Sequence, residues 1–154
     1  MISTYTVLLA IHILCAVIWV GGGVSIHIMG RRALASGDRQ RMLQFSEEAN
    51  WVGTRIYAPV SLILLVVGVL LVNVRDYSHG DVWISVAYTA WLISFAIGVG
   101  YYGRAAKKRD ALIAAEGIDG PGFLATYKQV MTVNTIELTI LLLVVIDMAI
   151  KPGS

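Results

Sequence analysis

The chain has 154 residues, of which 57% are hydrophobic and only 14% charged, and its formal net charge is +2. A soluble domain carries about a quarter charged residues, and a chain this short has too little interior to hide so much apolar surface from water. The composition calls for a lipid bilayer as solvent. The small net charge, with no basic patch interleaved with aromatics, excludes a nucleic-acid binder.

The first 30 residues hold no Asp, Glu, Lys or Arg. A secretory signal opens on basic residues and has a shorter apolar run, so this segment reads as a retained span, roughly residues 5–29. About 20 apolar residues in helix cross the hydrocarbon core. A basic loop follows, with Arg31, Arg32, Arg39 and Arg41. Asp38 is placed to cap a helix that runs through Phe45 and Trp51 into the second span, roughly residues 56–74, with the break-prone Pro59 near its start. Arg75, Asp76 and Asp81 lie in the short turn that follows.

The third span covers roughly residues 82–102 and is expected to run on as helix to Glu116, ending at Gly117. This stretch carries Arg104, Lys107, Lys108 and Arg109. Gly120 and Pro121 turn the chain towards the fourth span, roughly residues 130–150, which alone contains acidic residues, Glu137 and Asp147. The prediction is an all-α integral membrane protein, one four-helix bundle. A closed barrel is the other way to span a bilayer, but it needs short alternating strands and these runs are long and continuous. The positive-inside rule places both basic loops in the cytoplasm and both termini outside, as in a bacterial inner membrane. The openings Gly30-Arg31-Arg32 and Gly103-Arg104 hint at an internal duplication.

Ionisable groups inside a span are costly and mark function by default. Counting 1.5 Å per residue puts His12 about 10 Å in from the outer end of the first span. Asp147, Tyr88 and Trp91 belong to the same outer half. His27, Arg55, Asn134 and Glu137 belong to the inner half, where Arg55 and Glu137 lie at depths that permit an ion pair. A histidine at the depth of His12 suits a ligand of haem iron or another metal, or a proton relay; it equally suits a hydrogen bond across the bundle. His12, Ala16, Trp19 and Gly23 fall on one helical face, and Gly22 and Gly23 let a flat cofactor or another helix come close. Gly21-Gly22-Gly23 is not a phosphate loop, because no Lys-Ser/Thr follows it. Cys15 is the single cysteine, so no disulfide or Cys-rich metal site is expected.

The segment Ile11-His12-Ile13-Leu14-Cys15-Ala16-Val17-Ile18-Trp19-Val20-Gly21-Gly22 resembles the opening helix of a widespread bacterial family of predicted integral membrane proteins, domain of unknown function 2269. Arg55-Ile56-Tyr57-Ala58-Pro59, Asp81-Val82-Trp83 and Ile150-Lys151-Pro152 extend the likeness over nearly the whole chain. The opening motif is also similar to CopD-like copper-resistance membrane proteins and to the bacterial membrane protoporphyrinogen oxidase. The latter resemblance implies association with haem through a first-helix histidine, to which His12 corresponds. The lysine that this oxidase carries in a later helix has no counterpart, since Lys107, Lys108, Lys128 and Lys151 all lie outside the spans.

The leading expectation is a bundle that binds haem or a related redox cofactor through His12, with Trp19, Gly22 and Gly23 shaping the site, for electron transfer or porphyrin chemistry. The alternative is a small transporter, or an accessory subunit of a larger membrane complex, with Arg55, Asn134 and Glu137 marking a polar path or a fixing pair. A homo-oligomer is compatible with either.

Overall fold

A computed structural model describes residues 2–152. Four long helices make up the architecture: α1 (Thr4–Ala35), α2 (Arg39–Val74), α3 (Val82–Glu116) and α4 (Pro121–Ile150). Their 32, 36, 35 and 30 residues correspond to about 48, 54, 52 and 45 Å of helix at 1.5 Å per residue. The hydrocarbon core is about 30 Å thick, so each helix is longer than the layer it crosses.

The apolar side chains point outward. Leu14, Leu92 and Leu143 are each about 60% exposed (62%, 61% and 60%), and they belong to spans in which a soluble bundle would have buried its leucines. Lipid is the contact that such a surface requires. The tightly packed interior lies instead towards the two ends. At the basic-loop end, Ala33, Met42, Phe123, Tyr127 and Met131 form a buried cluster. At the short-turn end, Val72, Trp83 and Ile84 form another, with Tyr77, Tyr88 and Met148 against it.

The helix termini are built as the local residues dictate. Ser3 caps α1 by accepting the Thr6 N–H at 3.2 Å, and Asp38 caps α2 by accepting the Arg41 N–H at 3.2 Å. Helix α3 stops at Gly117, whose φ of 77° lies in the left-handed region that glycine tolerates. Pro121 stands in the first turn of α4, where a missing N–H costs nothing. The ends at Asp38 and Gly117 are those expected; α4 begins at Pro121, ahead of the apolar run expected from about residue 130, because the proline opens the helix directly after the turn.

Helix α1 packs antiparallel along α2, and α3 along α4. Hydrogen bonds between helices tie the hairpins together. The Tyr127 hydroxyl on α4 donates to the Gly30 carbonyl on α1 at 2.9 Å, and Trp91 Nε1 on α3 donates to the Ser61 carbonyl on α2 at 2.9 Å. A Cβ on Gly30 would stand 2.7 Å from Met131 Sδ and 2.8 Å from Phe45 Cε1, so any larger residue at that crossing would displace both side chains.

Three of the four helices contain a π turn: Val17–Gly21 in α1, Gly53–Tyr57 in α2 and Ile97–Tyr102 in α3. A π turn holds one more residue than the α turn it replaces and often marks a functional site. In α2 it also answers for Pro59. The expected break is absent. The ring of a proline in an α-helix strikes the carbonyl four residues back, and here the backbone widens just before it, with the Ala58 N–H reaching Gly53 instead.

Candidate functional site

Two cavities lie one above the other along the bundle axis. The larger, in the short-turn half, has a volume of about 690 Å³ and walls that are almost wholly apolar. His12, Ala16 and Trp19 of α1, Gly68 of α2, Tyr88 and Trp91 of α3, and Met148 of α4 contribute to it. The smaller, about 380 Å³, lies towards the basic loops; Trp19, Gly23, Tyr57, Ser94, Tyr102 and Glu137 contribute to that one. Trp19 and Leu141 line both and form the partition between them. Trp91, bonded to Ser61 and stacked on Phe95 with ring centroids 4.9 Å apart, stands at the same level.

The upper cavity brings His12, Tyr88 and Trp91 together, as their depths suggest. The His12 ring lies against Gly68, where an added Cβ would stand 3.2 Å from Cε1, and near the Leu64 carbonyl. Its Nδ1 is nevertheless buried and meets no hydrogen-bond partner of good geometry. A buried polar atom without a partner is uncommon and asks for an explanation. Asp147 does not share this cavity. It is half-buried near the end of α4, with Oδ2 buried and unpartnered. Two cations approach the rim through aromatic rings: Arg75 lies 4.0 Å from the Tyr5 ring centroid, and Lys151 Nζ lies 5.2 Å from that of Trp83.

The glycine face divides. Gly22 and Gly23 do not line the cavity that holds His12. Gly22 receives the Tyr57 ring, so closely that a Cβ there would collide with the hydroxyl and stand 2.9 Å from Cζ. Gly23 lines the lower cavity. The π turn Val17–Gly21 lies between His12 and these glycines. Its extra residue rotates everything beyond it, so the face drawn on an ideal helix does not continue.

In the lower cavity Glu137 is half-buried and is held by hydroxyl groups. Ser94 donates to Oε1 in a short hydrogen bond, and Tyr102 donates to Oε2 at 2.6 Å. The ion pair with Arg55 does not form: Arg55 is exposed. It stands on the π turn Gly53–Tyr57, from which a long guanidinium side chain reaches the surface. His27 shares a 2.9 Å hydrogen bond with Asn134, and Asn134 also lies beside Tyr102. A polar chain therefore joins α1, α4 and α3 in the order His27, Asn134, Tyr102, Glu137, Ser94.

Ser94 and Tyr102 carry no motif that marks them. Eight residues on an ideal helix turn by about 80° beyond two full turns, which would point them apart. The π turn Ile97–Tyr102 absorbs one residue, and the remaining seven fill about two turns. Both hydroxyls then face Glu137. The helical signal that was available is Gly98 and Gly100 in an apolar span, which reads as close packing and not as a widened turn.

Among the described residues no group of three or more His, Cys, Asp or Glu is placed to hold a metal ion. The family model of the DUF2269 predicted integral membrane proteins matches residues 6–152. The chain belongs to the DUF2269 family. No curated protein and no solved structure matches it. What the DUF2269 fold presents in this chain is thus an integral membrane bundle with four candidate spans and two stacked cavities.

Proposed function

We propose that this protein holds a haem-class cofactor in its upper cavity, with His12 as an iron ligand, and serves electron transfer or porphyrin chemistry. The observation that carries the reading is His12, which lies on the wall of an apolar chamber of about 690 Å³. Small-molecule sites occupy roughly 300–1,000 Å³ and are mostly apolar with a few placed polar groups. A neutral imidazole nitrogen is a common donor to haem iron.

The wall meets the other needs of such a group. Trp19, Trp83 and Trp91 offer flat apolar surface. Met148 and Tyr88 are side chains of kinds that ligate haem iron elsewhere. Arg75 near the rim is suited to a carboxylate of a porphyrin edge. Bound there, the cofactor would supply one-electron chemistry. The chain's part is to ligate, to exclude water and to seat the ring against Gly68. The likeness of the opening helix to the membrane protoporphyrinogen oxidase favours the same reading. We place the basic loops on the cytoplasmic side of a bacterial inner membrane, following the positive-inside rule.

Titration of the purified apoprotein with hemin tests the proposal. Tryptophan fluorescence is expected to be quenched to an endpoint of one hemin per chain, and His12→Ala to abolish the saturable phase. Quenching that is linear in hemin, or unchanged by His12→Ala, would contradict it.

A further inference from the structure

The lower cavity is a second site, and it differs in charge from the first. Its walls hold two charged side chains, Arg109 and Glu137. Arg109 is closed on Asp110 by an ion pair of 2.7 Å. Glu137 has no cation; it accepts one hydroxyl hydrogen bond at each oxygen. A carboxylate has about four lone-pair positions, so capacity remains on both oxygens. Aromatic rings from every helix line the same cavity: Tyr102 of α3 bonds the carboxylate, Trp19 of α1, Tyr57 of α2 and Phe95 of α3 contribute, and Phe45 of α2 with Tyr127 of α4 line the end towards the basic loops. The volume of about 380 Å³ is that of a small-molecule site.

A carboxylate among aromatic faces, with no protein cation to answer it, is complementary to one ligand chemistry. Anions are repelled, and a neutral apolar molecule leaves the charge uncompensated. An organic ammonium ion satisfies both the carboxylate and the rings, whose π faces attract cations. We propose that the lower cavity binds a monovalent organic ammonium ion with apolar substituents, its charge at Glu137 and its substituents against the aromatic rings. The cation and a proton compete for the same carboxylate, so apparent affinity rises with pH until the carboxylate is fully ionised. The other titratable groups facing this site are Tyr57 from α2, Tyr102 and the paired Arg109 from α3, and Tyr127 from α4; His27 of α1 reaches it through Asn134. This inference rests on Glu137 and not on the His12 chamber.

The test is calorimetric titration of the protein in lipid nanodiscs with benzyltrimethylammonium, and with neopentylbenzene as its uncharged isostere. The expected result is saturable binding of the cation alone, weakening as pH falls. Glu137→Gln should reduce affinity by about tenfold or more, because the quaternary ammonium has no N–H to donate and loses its countercharge. Gly98→Leu provides a control for folding. Gly98 lines the cavity and an added Cβ there meets nothing within 4 Å, so this variant should fold normally and lose binding by occupying the space. Equal binding of the neutral isostere, unaltered affinity in a folded Glu137→Gln or Gly98→Leu protein, or no saturable binding at all would each overturn the proposal.

Discussion

The Tyr102 hydroxyl donates to Glu137 Oε2 at 2.6 Å and joins α3 to α4 in the middle of the bundle. Glu137 is thereby placed by neutral donors, and its position depends on the π turn that aims Tyr102. Interhelical hydrogen bonds in membranes average about 0.6 kcal/mol and reach about 1.7. Tyr102→Phe should therefore lower stability by about 1 kcal/mol, while Arg55→Ala leaves it nearly unchanged because Arg55 is exposed. Reversible unfolding of both variants in mixed micelles measures the difference. Equal losses would mean that Arg55 supports the bundle after all.

Much of the frame was legible because it follows from simple periodicities and end signals. Long apolar runs require helices in lipid, and Asp38, Gly117 and Pro121 mark ends by chemistry that acts within one turn. Depth put His27, Asn134 and Glu137 in one inner cluster, but it put Arg55 there as well, and Arg55 is at the surface because depth along a helix does not say which way a long side chain turns. The partners of Glu137 were not, since a serine and a tyrosine in an apolar span look like packing residues. Nor was the separation of Gly22 and Gly23 from His12. Both depend on π turns, which change helical phase by one residue and leave no local motif.

Gly22 and Tyr57 fix the approach of α1 to α2. A methyl at residue 22 would strike the Tyr57 ring, and overpacking of this kind costs about 1–3 kcal/mol. Gly22→Ala should destabilise by that amount, and Tyr57→Leu in the same chain should restore part of it. A double-mutant cycle on thermal unfolding gives the coupling. Strict additivity of the two changes would place the strain elsewhere.

Gly68 forms the seat of His12. A Cβ there stands 3.2 Å from His12 Cε1, which a small shift of the ring accommodates; a bulkier side chain displaces the ring. Gly68→Ala should retain hemin binding with modest loss, and Gly68→Leu should lose it while remaining monodisperse on size exclusion. Hemin affinity measured for both variants gives the answer, and wild-type affinity in Gly68→Leu would detach the cofactor from this seat.

The orientation is open to a direct assay. In a Cys15→Ala background, a cysteine at Glu47 or Asp110 should be protected from a membrane-impermeant maleimide in intact cells, and one at Ser78 should react. Labelling before and after permeabilisation reads the sidedness. The reverse pattern would invert the bundle, with the basic loops outside.

The most direct measurement is a reduced-minus-oxidised absorption spectrum of the detergent-purified protein, produced in cells with ample haem. The account predicts a Soret band at about one haem per chain that disappears in His12→Ala and persists in Glu137→Gln. A flat spectrum from folded protein, or a band indifferent to His12, would contradict it.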